Sequence, residues 1–140
     1  MFRLAENSSD VRQHFSEFLD SVVRDRPSFV KRNRDMLVAL NLEHLGVLVD
    51  AVQFHAFIEK DENGELIGTI EEIDDIIVIG ATTDEVIDEI AKEIMEYAEE
   101  YLTDSFRLYF NSPNRRKHLP YVMKVAMQNN FADVKRLIHA

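Results

Sequence analysis

The middle of the chain constrains the fold most, because its apolar residues are spaced first as in β-strands and then as in a helix. Two β-prone runs, residues 54–60 and 66–72, flank the sequence Asp61-Glu62-Asn63-Gly64-Glu65. Asn-Gly between two such runs is a strong signal for a hairpin turn. A third run over residues 76–80 is almost entirely apolar, which predicts a buried strand.

The segment that follows predicts a long helix. Thr82-Thr83-Asp84-Glu85 has the Thr-x-x-Glu pattern of a capping box, in which the Thr and Glu side chains accept hydrogen bonds from free backbone N–H groups. Apolar residues then recur at helical spacing to about Leu102. Residues 106–110 form a further β-prone run. The order of three strands, a helix and a strand predicts a small α+β domain over residues 54–111, with one sheet face covered by the helix and the other face available.

An N-terminal module is predicted over residues 1–53. Ser8 or Ser9 can cap a helix from Asp10, and apolar residues keep helical spacing until Arg26-Pro27. Two short β-prone runs follow at residues 28–31 and 36–40, and a further helix can begin at Asn41. The polar break between these two runs suits a hairpin turn. It also carries three cations, which are Lys31, Arg32 and Arg34.

The C-terminal part, residues 112–140, predicts a helical segment. It begins with the loop signal Asn111-Ser112-Pro113-Asn114 and continues with two short helices predicted over residues 119–128 and 131–138. The apolar side chains of the first of these helices are expected to pack against the central domain, since the sheet needs a second cover.

Charge is divided unevenly along the chain, whose formal net charge is −10. Residues 1–55 carry seven Lys/Arg and eight Asp/Glu, residues 56–104 carry two and seventeen, and residues 105–140 carry seven and one. Such asymmetry suggests segments that face different partners. The alternative for the acidic block is the solvated face of the long helix, and the alternative for the basic turn is a solvated loop.

Several kinds of chemistry find no support in the sequence. The chain has no cysteine, which excludes disulfides, thiolate zinc sites and cysteine nucleophiles. No run approaches the roughly 18 apolar residues of a membrane span, and a cytoplasmic location without a membrane partner is the default expectation. The five histidines lack metal-ligand spacing such as HExxH, and no phosphate or dinucleotide fingerprint occurs. No cofactor, metal or catalytic residue is expected.

One enzymatic alternative concerns four carboxylates, at Glu71, Glu72, Asp74 and Asp75. Two magnesium ions held by such groups could hydrolyse a phosphodiester. Four acids within five positions alternate between strand faces or spread around a turn, so they cannot all converge on one pair of metals. A solvated turn is the favoured interpretation.

Two stretches of the sequence resemble known antitoxin domains. Residues 8–45 resemble the N-terminal domain of Phd/YefM-type antitoxins, with an Arg-Gln pair in a capped helix, a Pro-containing turn, a basic turn between strands and an Asn-Leu-Glu step. Residues 57–102 are similar to HicB-type antitoxin domains in their acidic Asn-Gly hairpin and strand order. They depart from that pattern where HicB-like sequences carry Pro-x-Leu-Pro-Gly. The complete chain resembles a Phd-like antitoxin group assigned to systems with RelE-type toxins.

This resemblance implies partners and residues for them. It implies a homodimer formed through the Phd/YefM-like module, repression of the protein's own operon, and neutralisation of a RelE-type toxin, a small basic RNA-cleaving protein. The expected DNA-contacting residues are Arg12, Gln13, Lys31, Arg32, Asn33 and Arg34. The candidate toxin-binding residues are Arg115, Arg116, Lys117, Leu119 and Tyr121. The alternative functions are a stand-alone transcriptional regulator and, more distantly, a metal-dependent nuclease.

Overall fold

The computed structural model describes residues 3–140, so Met1 and Phe2 of the predicted N-terminal module lie outside the described residues. The chain divides into two compact units, residues 1–50 and residues 51–140. Both units combine helices with β-strands, which confirms the α+β class. Over the described residues, no helix has both the length and the apolar character needed to cross a membrane.

Over its described residues, 3–50, the first unit has a three-stranded sheet and three helices. β1 is parallel to β2, and β2 is antiparallel to β3, in the order β1-β2-β3. The elements are β1 (Glu6–Asn7), α1 (Ser8–Gln13), α2 (Phe15–Arg24), β2 (Ser28–Arg32), β3 (Asp35–Ala39) and α3 (Leu42–Leu48). The continuous helix predicted from Asp10 is therefore two helices, because His14 leaves the helical backbone at φ −124° and ψ 44°. Neither proline nor glycine marks this break in the sequence.

Local polar contacts fix the hairpin and the start of α3. In the β2–β3 ladder, Arg32 is opposite Asp35, which leaves a two-residue turn. Asn33 in this turn adopts the left-handed backbone conformation (φ 54°), which Asn tolerates better than most residues. Asn41 caps α3, and its side-chain oxygen accepts a hydrogen bond from the His44 N–H at 2.9 Å. The Asn41 amide also donates to the Val23 carbonyl at 3.0 Å, which joins α3 to the last turn of α2.

The second unit has a four-stranded sheet, in the order β6-β5-β4-β7, and five helices. β5 is antiparallel to both of its neighbours, β4 and β6, whereas β7 is parallel to β4. The elements are β4 (Phe54–Lys60), β5 (Leu66–Ile70), β6 (Ile77–Gly80), α4 (Thr83–Leu102), α5 (Phe106–Phe110), α6 (Pro113–Arg116), α7 (Leu119–Ala126), α8 (Phe131–Lys135) and β7 (Ile138–His139).

The long helix α4 covers the inner face of this sheet. Val86 and Ile90 of α4 are completely buried, and Val86 lies so close to β5 that only a glycine fits at position 68. The C-terminal segment contributes to the same core through Val122 and Val134. Residues 112–140 therefore pack as part of the second unit.

Three predictions for the second unit are wrong. Residues 106–110 form helix α5, because helical spacing stacks Phe106 on Phe110 and brings Tyr109 against Tyr101 of α4. The strand beside β4 is instead Ile138–His139, so the helix predicted over residues 131–138 ends at Lys135. The strand predicted as buried over residues 76–80 is buried on one face only.

Candidate functional site

The basic hairpin turn of the first unit projects its cations into solvent. Lys31 and Arg32 end β2, Arg34 lies in the turn, and all three side chains are exposed. Over residues 3–140, none of them forms a salt bridge or a side-chain hydrogen bond with another residue. Their charges are thus free to meet an anionic partner.

Helix α1 begins beside this hairpin. Asn7 pairs with Lys31 in the parallel β1–β2 ladder, and α1 starts at the next residue, Ser8. Arg12 and Gln13 occupy the last turn of α1, and both are exposed. The two groups of residues predicted to contact DNA therefore lie on elements that are joined through the same ladder.

The first unit leaves much apolar surface uncovered. Among its described residues, the buried hydrophobic side chains are Val22, Val30 and Val49. Exposed large hydrophobic side chains occur on α2, β3 and α3, namely Phe15, Leu19, Val23, Met36, Leu37, Val38, Leu42, Val47 and Leu48. A core this small contributes little stability, so this surface favours association with another apolar surface.

In the second unit, Arg115 belongs to a polar cluster that joins α4 to the C-terminal segment. Its guanidinium donates to the Asp75 carboxylate at 2.6 Å and lies 4.2 Å from the centre of the Tyr109 ring. A longer contact of 3.4 Å joins it to the Tyr97 hydroxyl, which is 2.7 Å from Nδ1 of His118. Burial, with smaller contributions from Lys117 and Arg115, lowers the pKa of His118 below its usual 6.5. His118 is therefore neutral at pH 7 and suited to a buried hydrogen bond.

The other candidate toxin-binding residues differ in exposure. The guanidinium of Arg116 lies 4.2 Å from the centre of the Phe110 ring, and both Arg116 and Lys117 are exposed. Leu119 and Tyr121 are half-buried against the hydrophobic core, as expected from their apolar pattern. The C-terminal segment therefore exposes cations at its surface, while its apolar residues pack inward.

The four clustered carboxylates do not share the same hydrogen-bond partners. Glu72 accepts hydrogen bonds from the backbone N–H and Nδ1 of His55, both at 2.7 Å, whereas Asp75 accepts from Arg115. The hydrogen bond to Glu72 raises the pKa of His55. His55, Glu71 and Glu72 could together offer one ligand atom each to a metal, but Lys117 lines the same cleft with a positive charge. This arrangement does not form the two-metal site that nuclease chemistry needs.

Comparisons with known proteins converge on one class. The chain matches a PHD-like family model over residues 1–140, and the model is described as an antitoxin of a RelE/RelB toxin–antitoxin system. A crystal structure from Syntrophomonas wolfei subsp. wolfei, assigned as the antitoxin part of a toxin–antitoxin system, shares 39% sequence identity with it. The alignment covers 97% of this chain and 96% of that one, with a TM-score of 0.88. No curated protein matches the chain.

Proposed function

Because the chain belongs to the PHD-like family of antitoxins, we propose that it neutralises a RelE-like toxin and, as a homodimer, represses its own operon. The observation that carries the DNA-binding part is the hairpin with three exposed, unpaired cations in a protein of net charge −10. In this proposal the first unit is a Phd/YefM-like module and the second a HicB-like domain. The protein has no catalytic activity, and its function places it in the cytoplasm.

DNA binding by so acidic a protein requires cations at the contact itself. The net charge repels the phosphate backbone at long range, so local Lys and Arg side chains must supply the attraction. Lys31, Arg32 and Arg34 meet this requirement, and an Arg can also donate two hydrogen bonds to guanine in the major groove. Arg12 and Gln13 on α1, together with Asn33 in the turn, complete the proposed contact.

The homodimer is proposed from the uncovered apolar surface of the first unit. A second copy would bury the exposed side chains of α2, β3 and α3. β3 is also an edge strand, with β2 on one side and no strand of the described sheet on the other. A two-fold symmetric pair presents two basic hairpins, as recognition of a palindromic operator requires.

Toxin binding is proposed for the second unit. Its acidic residues would attract a basic toxin and accelerate association. At the C-terminal segment, Arg116 and Lys117 remain accessible for acidic groups of the toxin, beside the half-buried Leu119 and Tyr121. Arg115 would support this surface through its contacts with Asp75 and Tyr109.

The DNA-binding proposal is tested by titrating the wild type, Arg12→Ala and Arg32→Ala against the DNA upstream of the protein's own gene. Loss of a base contact costs roughly 1–3 kcal/mol and relaxes sequence preference, whereas loss of a phosphate contact makes the salt slope shallower by about 1. Arg107→Ala is the matched control, since Arg107 is an exposed cation on α5 of the second unit, outside the proposed dimer interface. Circular dichroism should show all variants folded. Equal DNA affinity of the four proteins would contradict the proposal and show that the hairpin is only a solvated turn.

A further inference from the structure

The outer face of the second sheet is an exposed apolar surface. Phe57, Ile77 and Ile79 are 56%, 65% and 58% exposed, respectively, although they lie within regular strands. Side chains of successive strand residues point to opposite faces, and the inward-facing neighbours Ala56 and Val78 are buried under α4. This exposed face is therefore the side of the sheet that the helix does not cover.

The strand register makes these side chains one continuous surface. Phe57 is opposite Thr69, which is opposite Ile77. One step along the strands, Glu59 is opposite Ile67, which is opposite Ile79. We call the set Phe57, Ile67, Thr69, Ile77 and Ile79 the outer sheet patch. Ile67 and Thr69 are half-buried between their neighbours on β4 and β6, so the patch is a compact surface that a partner could cover.

Carboxylates border the outer sheet patch. Glu59 lies in the same row as Ile67 and Ile79, and Glu71 lies on the same face beyond Phe57, next to His55. At the opposite end, Glu65 precedes β5 and is exposed. Lys60 is the one Lys or Arg in these three strands, and strand alternation places it on the other face. Lys117 lines the cleft beside His55 and Glu71, so the border is mixed at that end and anionic at Glu59 and Glu65. An apolar centre with a mainly anionic border complements an apolar surface surrounded by cations.

A second copy of this chain is a poor match for the outer sheet patch. A two-fold contact through the patch would bring the same acidic borders of two chains together, which is unfavourable. The apolar surface of the first unit is available for self-association instead. We propose that the outer sheet patch is the docking surface for a basic partner protein, which on the function proposed above is the toxin.

The experiment uses the protein encoded beside this chain's gene as the binding partner and measures its affinity for the full chain by calorimetry. Ile77→Lys introduces a cation on the β6 side of the patch, and Phe57→Ala removes apolar area from its β4 side without changing charge. Leu108→Lys is the matched control, because Leu108 is 68% exposed on α5, outside the sheet. Each variant is checked for folding by circular dichroism, for mass by sedimentation and for binding to operator DNA.

We expect Ile77→Lys to weaken partner binding at least tenfold and Phe57→Ala to weaken it several-fold, while Leu108→Lys stays within twofold of the wild type. Folding, dimer mass and DNA affinity should be unchanged, since the altered residues are exposed and belong to the second unit. Partner binding by folded Ile77→Lys within twofold of the wild type would overturn the proposal. So would a loss of dimer mass in this variant, since the patch would then join two copies. If the wild-type chain does not bind the neighbouring gene product, this outcome refutes the proposed toxin neutralisation as well as the docking surface.

Discussion

Replacing Gly68 by alanine should destabilise the second unit, because α4 packs directly on β5 at this position. An alanine Cβ would lie 2.3 Å from Cγ1 of Val86, against the 3.5–4.0 Å or so of an ordinary carbon contact. Val78 and Ile90 approach the same point to 3.1 and 3.2 Å, so Val86 has little room to move aside. Either α4 shifts away from the sheet or Val86 leaves its preferred rotamer. Overpacking of this kind costs roughly 1–3 kcal/mol.

The cost can be measured as a fall in the thermal midpoint of the second unit. For a domain of its size, each kcal/mol lowers the midpoint by about 4–8 °C. Thr69→Ala is the control, since Thr69 points to the other face and should cost no more than the roughly 1 kcal/mol that strand preference and cross-strand contacts contribute. The double variant Gly68→Ala/Val86→Ala removes the clash. Its loss of unfolding free energy should therefore be smaller than the sum of the two single losses by about 1 kcal/mol or more. A wild-type midpoint for Gly68→Ala, or simple additivity in the double variant, would refute this account of the packing.

Three further predictions concern the capping residue, the buried histidine and the dimer. Asn41→Ala removes the cap of α3 and its hydrogen bond to α2, and should lower the unfolding free energy by about 1 kcal/mol in denaturant titrations, unlike the exposed control Asn129→Ala. The lowered pKa of His118 means that the unfolded chain binds more protons below about pH 6.5, so stability should decline from there down to the folded-state pKa, with a smaller decline in His118→Gln. If the stability of His118→Gln depends on pH as that of the wild type does, His118 is not the group responsible. Leu37→Lys should shift the sedimenting mass from dimer towards monomer, and an unaltered dimer would show that β3 lies outside the interface.

Features set by neighbouring residues were predictable from the sequence. The Asn-Gly hairpin forms because the Asp61 carboxylate accepts hydrogen bonds from the N–H groups of Asn63 and Glu65, and Gly64 adopts a φ of 84°. The capping box of α4 also forms, although the Glu85 carboxylate bonds to the N–H of Ala81, one residue before the cap. The basic turn falls on the hairpin for the same local reasons.

Features set by distant residues were not predictable. β7 has two residues, and its position depends on pairing with β4 more than eighty residues earlier. The internal role of Arg115 depends on Asp75, which is 40 positions away. Helix α5 has the composition of a strand, and its aromatic contacts with α4 override that preference. The sequence predicted an available outer sheet face but not the exposure of Ile77 and Ile79 on it, because β6 is apolar on both faces and therefore resembles a fully buried strand.

The most direct test of antitoxin function is to express the neighbouring gene product in a bacterial host, alone and together with this chain. The account predicts that the neighbour alone arrests growth, that the wild-type chain restores growth, and that the two proteins purify as a complex. An antitoxin acts by binding, so rescue should persist in Arg32→Ala, whose proposed defect is confined to DNA. A neighbour that has no effect on growth, or a growth arrest that the chain does not relieve, would contradict the account and favour a stand-alone regulator.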